Sequence, residues 1–225
     1  MLHDEHPPDD DPRLFFPATE RNRDALIEAI TPWLPSDGAV LELASGSGEH
    51  VSYFAQRAEW SRLRWLPSDP DPTHRASIDA WARARGVDDR VEPAVAIDTT
   101  AKTWPVTHAD AVLCCNMIHI APWAACLGML DGCARILPPG ARLLLYGPFM
   151  RDNQHTAPSN EAFDARLRSR DPSWGVRDME VVTREAATRG MTRRQIIPMP
   201  ANNFTVIFER HPDPDDAHPN EPATA

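Results

Sequence analysis

Lysine is almost missing from this 225-residue sequence: Lys102 stands alone against 22 arginines, a bias of composition rather than of chemistry. Tyrosine is scarce too, with only Tyr53 and Tyr146. No apolar run approaches the roughly 18 residues of a membrane span, so no membrane partner is expected. The start, MLHDEHPPDDDP, is acidic and proline-rich. It has the character of neither a secretory signal nor an arginine-rich transit peptide, and the expected setting is cytoplasmic. Four cysteines, Cys114, Cys115, Cys126 and Cys133, form no C-x-x-C pair. They are expected to be buried, reduced thiols, and no Cys/His group has the spacing of a metal site.

Basic charge is absent from both ends. Residues 1–12 hold five acids and residues 211–225 hold four, with no Lys or Arg in either, so the tails carry nearly all of the formal net charge of −10. The segment 13–210 is close to neutral. It has no large electrostatic attraction for phosphate backbones, which argues against general nucleic-acid binding and leaves room for one local basic patch. Both tails are rich in Pro, Asp and His and lack apolar periodicity, so disorder is expected there, with one domain over 13–210.

Within 13–210, helix and strand signals alternate. Apolar spacing predicts helices over Asn22–Trp33, Val51–Ala58, Thr73–Arg85, Trp123–Leu137 and Met179–Arg189. Strands are predicted at Ala39–Leu43, Arg64–Leu66, Val91–Ile97, Ala109–Cys115, Ala141–Tyr146, Arg193–Ile197 and Phe204–Glu209. This order implies an α/β fold: an open, mostly parallel, seven-stranded Rossmann-like sheet with helices on both faces and a C-terminal antiparallel hairpin. The segment from Phe149 to Arg177 carries no strand signal and is expected to lie over the strand ends as a substrate lid. Arg166, Arg168 and Arg170 read as a solvated helix face within it.

The first strand runs into Leu41-Glu42-Leu43-Ala44-Ser45-Gly46-Ser47-Gly48-Glu49-His50. Glycines there allow a sharp turn and close backbone approach to a ligand. In open α/β sheets, ligands sit beyond the carboxyl ends of the strands. A nicotinamide loop needs G-x-G-x-x-G/A, and Val51 occupies its third glycine position; a P-loop needs G-K-[ST], which is missing. What is present is an acid or amide at four strand ends. Glu42 suits an ammonium group, Asp69 suits two ribose hydroxyls, and Asp98 with Thr99 suits an adenine amino group. Asn116 ends the fourth predicted strand. Together they describe a site for a nucleoside carrying an amino acid, S-adenosyl-L-methionine. Met117 is a candidate floor for the adenine, and Arg21, Ala44, Ser45, Gly46, Gly48 and His50 are candidate cofactor contacts.

E-x-x-x-G-x-G followed by an acid at the second strand resembles class I S-adenosylmethionine-dependent methyltransferases. The blocks Asn116-Met-Ile-His-Ile-Ala-Pro-Trp123, Asp171-Pro-Ser-Trp-Gly-Val-Arg-Asp178 and Pro200-Ala-Asn-Asn203 narrow the match. Together they resemble the methyltransferase-like DUF938 / UPF0585 family over about Arg13 to Arg210. The resemblance implies the fold and the cofactor and supplies no acceptor. One departure is Ala44, where many class I enzymes have a glycine.

Three residues are candidates for the chemistry on a small-molecule acceptor. His119 is either a general base or a buried hydrogen-bonded brace. Tyr146 ends the fifth predicted strand and either lines the site or closes the core. Arg177 suits an acceptor carboxylate or phosphate. Arg21 and Asn22, at the start of the first helix, are candidates to cover the cofactor pocket, and Asn202-Asn203 to complete its rim. The competing readings are a catalytically silent module of the same fold and, weakened by Val51, a nicotinamide-dependent oxidoreductase.

Overall fold

The computed structural model describes residues 11–212. The expected tails lie outside the described residues but for their inner edges, where Asp11 pairs with Arg13 at 2.6 Å and the His211 N–H donates to the Gly190 carbonyl. The chain runs α1 (Pro17–Ile30), β1 (Gly38–Leu43), α2 (Glu49–Phe54), β2 (Leu63–Ser68), α3 (Pro72–Ala84), β3 (Ala111–Cys115), α4 (Trp123–Ile136) and β4 (Arg142–Gly147). Then follow β5 (Met150–Arg151), β6 (Gln154–His155), α5 (Pro158–Arg170), α6 (Met179–Ala187), β7 (Met191–Met199) and β8 (Asn203–Arg210).

The main sheet has the order β2-β1-β3-β4-β8-β7, parallel through β4 and antiparallel across β4-β8-β7. Side chains alternate between its faces, as a period of two requires. Leu41, Leu43, Val112, Cys114, Leu143 and Leu145 meet α4 and α6 on one face. Val40, Ala111, Leu113, Leu144 and Tyr146 meet α1, α2 and α3 on the other. The chain turns one way from β1 to β2 and the other way to β3. The carboxyl ends of β1 and β3 therefore flank a topological switch point, the place where such sheets take ligands.

Among the described residues the main sheet has six strands rather than seven. Val91–Ile97 meets β2 only at two bridges, Trp65 with Val91 and Ser68 with Val95. Pro67 on the facing strand has no N–H to continue the ladder. The segment also spends four residues where β2 spends three, leaving a bulge between the bridges. Helix α1 starts five residues earlier than its apolar spacing suggests, at Pro17, whose ring suits a first helical turn.

The stretch from Phe149 to Arg177 is more regular than expected. It holds the β5-β6 hairpin and α5, on which Arg166, Arg168 and Arg170 are exposed. It is stitched to the turn after β3, where the Gly175 N–H donates to the His119 carbonyl, and to the β7-β8 connection, where Asn160 Nδ2 donates to the Asn202 carbonyl. Cys114, Cys126 and Cys133 are free thiols buried in the core, and Cys115 is half-buried on the opposite face.

Candidate functional site

The turn leaving β1 is held from three sides. Ser45 N–H donates to the Ser68 carbonyl at 2.8 Å, tying the loop to the end of β2. Gly46 N–H donates to Asp69 Oδ2 at 3.0 Å. Gly48 has φ +86°, and a Cβ there would lie 2.5 Å from the Ile78 Cα, so only glycine lets α3 approach this closely. Ala44 takes φ +53°, the left-handed region where a glycine would be unstrained. The departure from the glycine pattern is thus accommodated with the same backbone shape.

A cavity of about 560 Å³ opens at the carboxyl ends of β1, β2 and β3. Glu42, Ala44, Ser45, Gly46, His50, Asp69, Asp98, Thr99, Asn116 and Met117 all line it, drawn from chain positions up to 75 residues apart. Gly48 does not; it faces α3. Arg21, His119, Tyr146 and Arg177 do not line it either, and nor does any residue of the 149–177 segment. In that place stand Phe16, Ala18, Thr19 and Asn22 from the start of α1, with Ile120, Ala121 and Pro122 opposite. The cover over this cavity is therefore the N-terminal entry to α1. Leu14 N–H donates to Ser77 Oγ and Phe16 N–H to Glu49 Oε2, which pins that entry to α3 and α2. The available signal was the Phe15-Phe16 pair, two aromatics left exposed ahead of a helix-starting proline. A second, more open cleft of about 630 Å³ lies beside α4 and meets the first only at Thr99 and Thr100.

Glu42 is 2% exposed, and its Oε2 has no hydrogen-bond partner. Burial pushes its carboxyl up to about 8; a hydrogen bond from Ser45 opposes this and the Asp69 charge adds to it. An orphaned acid on a cavity wall fits an incoming cation. Asp69 is already engaged: Oδ1 accepts from Asp71 N–H and pairs with His74 Nδ1, both at 3.0 Å. Asp98 Oδ1 accepts from Thr100 N–H and Oγ1, and the Thr99 hydroxyl donates to the Ala125 carbonyl.

His119 is 0% exposed. Its Nδ1 accepts from Arg177 N–H at 3.1 Å, so the ring proton sits on Nε2, which has no partner. Burial, then the Arg177 charge, lowers its pKa to about 3. A ring whose lone pair is occupied and which is sealed from the cavity has the geometry of the brace, the second of the two readings open for it, and not that of a base facing an acceptor. Arg177 is likewise turned inward: Nε donates to the Ile118 carbonyl and Nη2 to the Ala121 and Ser173 carbonyls. Tyr146 lies at the core edge, with Asn203 Nδ2 donating to its hydroxyl at 3.0 Å. Among the described residues no group of three or more His, Cys, Asp or Glu could hold a metal ion.

A family model described as a protein of unknown function (DUF938) matches residues 13–210. The chain belongs to the DUF938 family. Several solved structures similar to this DUF938 chain carry methyltransferase in their titles. An O-methyltransferase family 2 protein from Planctomyces limnophilus, in complex with apigenin, is 21% identical with a TM-score of 0.69, covering 84% of this chain and 59% of that one. The mitomycin 7-O-methyltransferase MmcR is 19% identical with a TM-score of 0.71, over 85% and 53%. The S-adenosylmethionine-dependent methyltransferase SibL is 18% identical with a TM-score of 0.69, over 87% and 56%. The DUF938 chain thus spans a little over half the length of these structures, and the likeness is one of fold.

Proposed function

We propose that this chain is an S-adenosyl-L-methionine-dependent methyltransferase acting on a small molecule. The observation that carries the reading is the unpartnered Glu42 carboxyl on the wall of the switch-point cavity, beside a glycine loop held by Asp69. Glu42 would take the ammonium group of the cofactor, Asp69 the ribose hydroxyls, and Asp98 the adenine amino group. Met117 and Ile97 would floor the base. Bound, the cofactor supplies an electrophilic sulfonium methyl. The task left to the chain is to align a nucleophile and exclude water. The S-adenosylmethionine-dependent title of SibL, a relative in fold, supports the same assignment.

Calorimetry with adenosylhomocysteine and with NADH tests this: binding of the first and none of the second is expected, and the reverse would overturn it. Asp69→Ala should weaken adenosylhomocysteine binding at least roughly tenfold, since one charged hydrogen bond is worth about 1.5–3 kcal/mol and about 1.4 kcal/mol is a factor of ten. It should also lower the melting temperature by a few degrees, because the Gly46 and Asp71 N–H groups lose their acceptor. Unchanged affinity would remove Asp69 from the cofactor site. Transfer of labelled methyl into a metabolite extract would then reveal the acceptor.

A further inference from the structure

Among the described residues the cavity wall carries three acids, Glu42, Asp69 and Asp98, and the imidazoles of His50 and His74, but no lysine or arginine. The guanidinium groups nearby are engaged outside the lining: Arg75 donates to the Asp69 and Pro70 carbonyls, both at 2.8 Å, and does not line the cavity. Arg177 faces backbone carbonyls, Arg23 lies over the Tyr53 ring at 4.2 Å, and Arg85 donates to the Glu49 carbonyl at 2.8 Å. Arg21, whose charge reaches Tyr146, is exposed and does not line the cavity. The cofactor's own carboxylate has to be taken up here beside Asp69 and Asp98, so a second carboxylate or phosphate, on the acceptor, would meet charge of its own sign with no side-chain counter-ion among the described residues. At the mouth, Phe16 and Ile120 are 40% and 43% exposed, an apolar rim.

One imidazole on this wall is held in a defined state. His50, in the first turn of α2, lies 2.7 Å through Nε2 from Asn22 Oδ1. An amide oxygen only accepts, so Nε2 carries the proton and Nδ1 the lone pair. The orientation of Asn22 is fixed in turn, because its amide group lies beside the Tyr146 hydroxyl, which also accepts from Asn203 Nδ2. The ring stacks on Phe54 at 5.3 Å and 13°, which restricts its tilt. Nδ1 has no partner among the described residues and is not among the polar atoms sealed from solvent. Burial, with the Arg23 and Arg85 charges acting in the same direction, lowers the pKa to about 4, so the lone pair is available at neutral pH.

We infer that the methyl acceptor is an uncharged hydroxyl or amine compound, whose O–H or N–H is received by Nδ1 of His50. Asn22 is the positioning residue that presents that lone pair. This rests on the methyltransferase reading above. The test uses the full chain with ¹⁵N-labelled histidine, first alone and then saturated with adenosylhomocysteine. Long-range ¹H–¹⁵N spectra should show the Nε2–H tautomer for His50 in the wild type and a mixture of tautomers in Asn22→Ala. Phenol and benzoate, the same ring without and with a negative charge, are then titrated into the saturated protein. Phenol should move the Nδ1 resonance saturably, with benzoate at least tenfold weaker. Benzoate binding as well as phenol, or no response of Nδ1 to phenol, would overturn the inference while leaving the cofactor site intact. If adenosylhomocysteine itself occupies Nδ1, the residue is a cofactor ligand and the inference falls. No binding of adenosylhomocysteine in the first step would overturn the methyltransferase reading itself, and with it this inference.

Discussion

His119→Ala is expected to melt roughly 10 °C below the wild type and to lose cofactor affinity with it. The ring fills a fully buried position, edge-on to Phe149 at 4.9 Å and 82°. Truncation leaves a cavity behind the turn after β3, and large-to-alanine changes in cores cost about 2–5 kcal/mol. It also removes the acceptor of the Arg177 N–H, and a buried donor left unpaired costs about 1–3 kcal/mol. Partial relaxation brings the sum to about 3–4 kcal/mol, and each kcal/mol moves the melting temperature of a chain of this size by about 2–4 °C. The turn so loosened is the one that aims Asn116 at the cavity, so adenosylhomocysteine binding should weaken in parallel. A general base would give the opposite pattern, with turnover down about 10²–10⁴-fold while melting and binding stay at wild-type values. Thermal melts and calorimetry on one variant separate the two. Wild-type melting would sink the brace.

The contrast between His119 and His50 shows where reading the sequence succeeds and where it stops. The Glu42-to-Gly48 loop was legible because its chemistry is local: an acid, two glycines and a strand end within seven residues. Asp69, Asp98 and Asn116 were legible because a parallel sheet brings successive strand ends to one edge. His119 looked catalytic because it lies three residues from Asn116. Which way its ring points depends on the left-handed φ of 63° at Asn116, and no spacing encodes that.

His50 gave the reverse problem. Its partner Asn22 is 28 residues away, and the Tyr146–Asn203 link spans 57. Contacts of that separation exist only once α1 has docked on α2 and β8 beside β4. The lost third strand has a simpler cause: Val91–Ile97 has the composition of a strand, but pairing needs an N–H on its neighbour, and Pro67 has none. The lid was sought after β4 because that segment is long and polar. The start of the first helix was expected to cover the pocket through Arg21 and Asn22; Asn22 lines the cavity with Phe16, Ala18 and Thr19, and Arg21 does not.

Glu42→Gln should be more stable than the wild type at neutral pH and yet bind the cofactor less well. Burial raises the folded-state pKa of Glu42 to about 8 from the ordinary 4.5, so the folded state holds this proton more tightly than the unfolded chain does. Its contribution to stability is complete below about pH 4.5 and is lost as the pH rises toward 8. At about 1.4 kcal/mol per unit of pH, the wild type gives up on the order of 3 kcal/mol by pH 7 from this group. Glutamine has nothing to ionise, so the melting curves of the two proteins should converge near pH 4.5 and separate steadily toward pH 8.

An ammonium group beside Glu42 would reverse that bias. Binding of adenosylhomocysteine at pH 7 should therefore release close to one proton in the wild type and none in Glu42→Gln. Calorimetry in two buffers of different ionisation enthalpy reads this directly. Affinity should fall about fivefold in the variant, since the charged hydrogen bond to the ammonium is replaced by a neutral one worth about 1 kcal/mol less. Parallel pH–stability profiles would show that Glu42 is already ionised in the free protein. Equal proton release from both proteins would remove Glu42 from the ammonium subsite.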